Sequence, residues 1–266
     1  MQCDIGSAII GYEEAGHGRP VMWLHAFPLD RRMWRGQLKA LAATGRMIAV
    51  DLRGFGQSSQ FAGEPSIDQM ADDVVLLLDR LGVREAAVVA GLSMGGYVAL
   101  ALARRHAGRL RGLILADTRA EADAPEARSG REQMIALAEK ESAAAVIDHM
   151  MPRMVSERTR QERPQAIEEI RRIASAQSTQ ALANAQRAMR DRPDHKGMLG
   201  QIRVPALVIV GGQDAISPPS VADLLAAGIA AARRVTIANA GHLSSLEQPE
   251  DFNSAIKAFL AGLPRP

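Results

Sequence analysis

Ser93 stands in Gly91-Leu92-Ser93-Met94-Gly95. There the apolar run Ala87-Val88-Val89-Ala90 gives way to the helix-like stretch Tyr97-Val98-Ala99-Leu100-Ala101-Leu102-Ala103. G-x-S-x-G between a strand and a helix describes a sharp turn that lifts the serine oxygen clear of a sheet. Glycine at 91 and 95 suits a turn with no room for a Cβ, and the amides that open the helix face the reacting centre. The pentapeptide alone also fits a glycine turn with an N-cap serine, because a serine hydroxyl is a weak nucleophile until a base takes its proton. Its partners decide the matter. His242, in Asn239-Ala240-Gly241-His242, directly follows the last strand-like run, and Asp214, in Gly211-Gly212-Gln213-Asp214, directly follows the one before it. Ser…Asp…His, each at a strand end, is the chain order expected with such an elbow.

The chemistry would be acyl transfer. Ser93 attacks a carbonyl, His242 takes its proton and later gives it to the leaving group, and Asp214 orients the imidazole and stabilises its cation. Asp117 is the rival acid, since it ends Leu113-Ile114-Leu115-Ala116. Asp214 is preferred because Gly211-Gly212 and Pro218-Pro219 frame it as an ordered turn. An oxyanion hole needs two donors. The backbone N–H of Met94 would supply one, and that of Phe27, in the loop after Val21-Met22-Trp23-Leu24, the other. His25 precedes the serine, which argues against a role as base. It is read as bracing this loop and is carried with Trp34 as a candidate substrate contact, although core packing is favoured for Trp34 and for Tyr97. His17, His106, His149 and His195 sit in polar or helical contexts and are read as surface or packing residues. No HExxH or paired Cys/His spacing suggests a metal, and no G-x-G-x-x-G follows a strand, so neither metal nor cofactor is expected.

These residues must be positioned by a regular scaffold. Short strands are expected over 2–14, broken at Gly6. Further strands are expected at Val21-Met22-Trp23-Leu24, Met47-Ile48-Ala49-Val50, 87–90, 113–116, Ala206-Leu207-Val208-Ile209-Val210 and Arg234-Val235-Thr236-Ile237. Helical patterns cover 31–43, 68–81, 218–230 and 249–260, with apolar residues at 70, 74, 77, 78 and 81 in the second. Alternation of this kind implies an α/β chain with a largely parallel sheet covered on both faces. The rhythm breaks over 119–196, which contain no convincing strand and read as several helices with breaks around Pro125, Pro152 and Pro164. The expected organisation is therefore a core of 1–118 and 197–266 with a helical cap, 119–196, over the strand ends where open α/β sheets bind ligands.

Composition narrows the classes. With 32 Lys and Arg against 30 Asp and Glu, the charge is nearly balanced, and no basic run points to nucleic acid. One cysteine, Cys3, excludes an internal disulfide. The first residues lack a basic and then apolar leader, and no stretch approaches the ~20 apolar residues of a membrane span. A cytoplasmic protein, monomer or homodimer, with a small-molecule substrate and no nucleic-acid or membrane partner is expected.

With these motifs in place, the sequence resembles the α/β-hydrolase superfamily. Leu24-His25-Ala26-Phe27-Pro28 is similar to its H-G-F-P oxyanion loop, and Asp51-Leu52-Arg53-Gly54-Phe55-Gly56-Gln57-Ser58 to its D-x-R-G-x-G-x-S loop. Gly91 to Gly95, Gly212-Gln213-Asp214 and Gly241-His242 match the elbow, acid and base motifs. One departure is Ala26 in place of the usual glycine, whose methyl restricts the backbone and narrows the pocket. Within the superfamily the chain looks most like small bacterial carboxylesterases and 3-oxoadipate enol-lactonases, a group with perhydrolase-like relatives. Serine at 93 separates it from dehalogenases and epoxide hydrolases, which carry aspartate there. The resemblance implies a serine hydrolase that cleaves a small carboxylic ester through an acyl-enzyme. A lactonase, of an enol-lactone or a simple lactone, is the alternative, and an enol-lactone would call for a cationic residue near the substrate carboxylate. A slow-turnover ligand sensor on the same fold is the alternative from another class. Met150, Met151 and Met154, with Met134 earlier, are candidates to line an apolar acyl or alcohol pocket. Ordinary helix packing is the competing reading and the favoured one.

Overall fold

The computed structural model describes residues 1–264. Among them, eight strands form one sheet in the order β1-β2-β4-β3-β5-β6-β7-β8. The strands are β1 (Gln2–Asp4), β2 (Ile9–Ala15), β3 (Pro20–Leu24), β4 (Arg46–Val50), β5 (Ala87–Leu92), β6 (Leu110–Ala116), β7 (Ala206–Gly211) and β8 (Ala232–Ile237). β2 runs antiparallel to β1 and β4, and every other neighbouring pair is parallel. Each expected strand is present, most of them longer by one to three residues than the apolar pattern indicated.

The uninterrupted apolar runs follow from burial on both faces. Along β3, Met22 and Leu24 enter one core while Val21 and Trp23 enter the other. Along β6, Leu113 and Leu115 separate in the same way from Ile114 and Ala116, and along β7 Val208 and Val210 from Leu207 and Ile209. This is the two-residue period of a strand with both sides filled. The edge strand β8 leaves Arg233 and Arg234 exposed or nearly so.

The helices α1 (Arg35–Leu41), α2 (Ile67–Arg80) and α3 (Met94–Arg105) alternate with these strands. Residues 31–43 are not one helix: 3-10 turns at Arg31–Trp34 and Ala42–Thr44 flank α1. α2 begins where the Ser66 hydroxyl accepts the Gln69 N–H at 3.1 Å, an N-cap that satisfies one orphan donor. Then α4 (Pro125–Lys140), α5 (Ala143–Met154), α6 (Glu157–Glu162), α7 (Pro164–Ala174) and α8 (Thr179–Arg190) fill 119–196 without a strand among its described residues. Pro125 and Pro164 each open a helix, where a missing N–H costs nothing. Pro152 lies in the last turn of α5, two residues before the helix ends at Met154, so the break expected around it falls just beyond it. α9 (Pro219–Gly228), α10 (Ser244–Glu247) and α11 (Pro249–Ala261) complete the chain. Among the described residues no helix is long and apolar enough to cross a membrane.

Candidate active site

Because β3 and β5 to β8 are parallel, their C-terminal ends share one sheet edge, and the loops that leave it carry the candidate chemistry. The Phe27 loop leaves β3, Ser93 leaves β5, Asp117 leaves β6, Asp214 follows β7 and His242 follows β8. Ser93 occupies φ +53°, a left-handed conformation that costs a non-glycine residue on the order of 1–3 kcal/mol. Its N–H, bonded to the Ala116 carbonyl at 2.9 Å, helps to hold it there. Its glycine neighbours are obligatory: a Cβ on Gly91 would stand 2.1 Å from the Gly95 carbonyl oxygen, and one on Gly95 the same distance from that of Leu24.

Two hydrogen bonds join three residues distant in sequence. His242 Nε2 lies 2.8 Å from Ser93 Oγ, and His242 Nδ1 lies 2.8 Å from Asp214 Oδ2. Asp214 is fixed through its other oxygen, which accepts the N–H groups of Ile216 at 2.7 Å and Ser217 at 2.9 Å. His242 and Asp214 are buried, while Ser93 retains partial exposure. With Nδ1–H donating to the carboxylate, Nε2 is left to accept a proton from the serine. Among the described residues, the His242 ring is hydrogen-bonded to Asp214 and Ser93 and not to Asp117. The oxygens of Asp117 accept the Gly211 N–H at 2.8 Å and the Ser244 hydroxyl, so it ties the acid loop to the helix behind the base. Burial, with the Asp214 charge adding to it, raises the Asp117 pKa well above the ordinary carboxylate value.

Met94 is the first residue of α3, so its N–H has no acceptor one turn back. In the β3 loop, Ala26 N–H points to Met33 Sδ and Leu29 N–H to the Ala26 carbonyl. The Phe27 N–H between them has no protein acceptor among the described residues. Ala26 is not among the residues with positive φ, so its methyl fits a backbone where glycine is usual.

The remaining candidates separate. His25 is fully buried. Its Nδ1 faces the Ala26 carbonyl at 3.1 Å and its Nε2 accepts the Leu52 N–H at 3.0 Å. Burial lowers its pKa and keeps it neutral. It joins the two loops and has no exposed surface. Trp34 packs in the core against Trp23, with ring centres 5.0 Å apart, and against Phe252. Met151 and Met154 are buried in the same core as Trp34. A cleft of about 390 Å³ opens between α3, the β6 and acid loops, and α4, α5 and α8, and Met134, Met150 and Tyr97 line it. His25, Trp34, Met151 and Met154 do not. The helical period put three methionines near one another but could not say which face of α5 meets the core.

One buried residue had no sequence signal. Glu247 accepts the N–H groups of Gly241 at 2.9 Å and Leu243 at 3.2 Å, on either side of His242. It also accepts the Ser156 N–H and the Thr159 hydroxyl of the helical insertion, both at 2.8 Å. In sequence it is one more glutamate in a polar helix turn.

Residues 19–249 match the family model described as the α/β hydrolase fold. The chain belongs to the α/β-hydrolase family. Among relatives of this family member, an AB hydrolase superfamily protein, YisY, of Bacillus subtilis is 33% identical over 93% of each chain. A solved thermophilic esterase from Thermogutta terrifontis, described with malate bound, is 41% identical. It superposes with a TM-score of 0.94 over 96% of this chain and 94% of its own. An enol-lactonase from Burkholderia xenovorans is 29% identical, with a TM-score of 0.91 over 98% of this chain and all of its own.

Proposed function

We propose that this α/β-hydrolase cleaves small carboxylic esters through an acyl-enzyme on Ser93. The observation that carries the reading is the unbroken Asp214–His242–Ser93 relay of two 2.8 Å hydrogen bonds at the sheet edge. Ser93 Oγ attacks the ester carbonyl as its proton passes to His242 Nε2, and Asp214 stabilises the resulting imidazolium. The oxyanion of the tetrahedral intermediate is held by the N–H groups of Met94 and Phe27, whose fixed orientation needs no rearrangement as charge develops. Collapse breaks the C–O bond, and Nε2 protonates the departing alkoxide. Water then enters and gives a proton to Nε2. Its hydroxide equivalent attacks the acyl carbon, and the proton returns to Ser93 Oγ as the carboxylic acid leaves. Residues 119–196 act as a cap that shapes the substrate site.

A lactonase activity is the second reading, favoured by the enol-lactonase relative. A lactone uses the same steps, except that its alkoxide stays tethered to the acyl chain. Steady-state hydrolysis of p-nitrophenyl butyrate and of a lactone panel, with mass spectrometry of the protein, tests both. Fast turnover and an acyl adduct at Ser93, both lost in Ser93→Ala, are expected. Slow single turnover at best would favour a ligand sensor instead.

A further inference from the structure

The donor proposed at Phe27 belongs to a loop, outside any helix or strand. Its direction is set one residue earlier. The Ala26–Phe27 peptide is trans, so its C=O and N–H point opposite ways in one plane. The Ala26 carbonyl accepts the Leu29 N–H at 2.8 Å and faces His25 Nδ1 at 3.1 Å. With the carbonyl held there, the Phe27 N–H turns away from both groups, and it has no protein acceptor among the described residues.

The peptide on the other side of Ala26 is held by a different group. The Ala26 N–H donates to Met33 Sδ at 3.3 Å, and both residues are buried. A thioether is a weak acceptor. It is nevertheless the one acceptor this N–H has among the described residues, and a buried N–H left without any is costly. Met33 is itself fixed. It lies in the 3-10 turn Arg31–Trp34, which opens at Asp30. The Asp30 carbonyl accepts the Met33 N–H at 3.1 Å, and the Asp30 carboxylate accepts the Arg32 N–H at 2.9 Å. From the helical insertion, Gln177 Nε2 donates to the same carboxylate at 2.8 Å. Both peptides that flank the Ala26 Cα are therefore pinned, and the methyl of Ala26 leaves it less freedom than glycine would have.

We infer that Met33 is a positioning residue: by taking the Ala26 N–H, its thioether keeps the Phe27 N–H aimed at the oxyanion. This rests on the ester-hydrolase reading above, and two arms separate the failure of one from the failure of the other. In the first, kcat and KM for p-nitrophenyl butyrate are measured on wild type, Met33→Leu and Met47→Leu. Leucine keeps the bulk and apolarity of methionine and removes the acceptor. Met47 is buried in the same core and controls for the loss of a thioether that holds no loop amide. Removing an oxyanion donor outright costs on the order of 10²–10³ in kcat, so a donor that is present but misaimed should forfeit about tenfold. KM should stay within about twofold, because the lost interaction belongs to the transition state. Met47→Leu is expected to keep the wild-type kcat. A Met33→Leu protein that keeps it too, or a Met47→Leu protein that loses as much, overturns the inference.

In the second arm, amide hydrogen exchange and amide resonances are read by NMR on the same proteins without substrate. Met33→Leu is expected to speed exchange at Ala26 about tenfold relative to Met22 on β3 and to shift the Phe27 amide resonance. A wild type that turns over no ester sinks the hydrolase reading alone, and these shifts then still support Met33 as the group that holds Phe27. An Ala26 exchange rate and a Phe27 resonance unmoved by Met33→Leu overturn the inference, with or without turnover.

Discussion

Glu247→Ala should separate two properties that this carboxylate joins. Glu247 is fully buried, and its oxygens accept three backbone N–H groups and one hydroxyl. Truncation leaves the amides of Gly241 and Ser156 without an acceptor, whereas the Leu243 N–H keeps the Met154 carbonyl at 3.1 Å. Each buried orphan costs about 1–3 kcal/mol. Water admitted to the vacated volume recovers part of the sum, which leaves a loss of about 3–5 kcal/mol, the range for breaking a buried charged network. For a chain of this size that is a fall in Tm of roughly 10 °C. Glu247→Gln keeps one acceptor oxygen, and the Thr159 hydroxyl can reverse to accept from the new amide, so only the Ser156 N–H is left opposed. Its loss should be about 1–2 kcal/mol. Urea melts read the stability. Because two of the donors flank His242, kcat on a neutral ester should fall more than KM rises at a temperature where both variants are folded. Thr159→Val, which cuts only the bond to the insertion, should cost less than Glu247→Ala in both respects. A Glu247→Ala protein as stable and as active as the wild type would refute the view that this carboxylate seats the base.

Three further outcomes are expected. Asp214→Asn should lower kcat by about 10³–10⁴-fold, the scale of losing the acid of such a triad, whereas Asp117→Asn should cost far less; steady-state rates on p-nitrophenyl butyrate compare them. Asp117 has a folded pKa raised by burial and by the Asp214 charge, so its contribution to stability is full below the unfolded value of about 4 and is lost as pH rises toward the folded one. The stability of Asp117→Asn relative to wild type should therefore improve from pH 5 to pH 8, measured as urea midpoints, and a difference that stays flat would contradict the buried proton. Gly95→Ala would drive a Cβ to 2.1 Å from the Leu24 carbonyl oxygen; backbone cannot yield that distance cheaply, so a loss of about 3 kcal/mol or more in thermal or urea melts is expected, with esterase activity lost alongside.

The residue types of the candidate acyl-transfer site, and their attachment to strand ends, were legible in the chain. Periodicity marks strands and helices because burial on both faces of a parallel sheet leaves continuous apolar runs, and the elbow glycines are written into the sequence because no Cβ fits there. Ser93, Asp214 and His242 could thus be named from type, order and neighbouring turns. What linear sequence does not encode is which strand lies beside which. Only the order β3-β5-β6-β7-β8 sets Ser93, Asp117, Asp214 and His242 along one edge, and only the direction of the Asp214 carboxylate gives it, and not Asp117, the imidazole. Packing likewise turned Met151 and Met154 into the core while Met150 faces the cleft. It also gathered Arg119 and Arg153, far apart in the chain, on one pair of carbonyls. Local preference acts over a few residues, whereas long-range burial and hydrogen bonding choose the partners of a side chain, and these exist only once the chain has closed on itself.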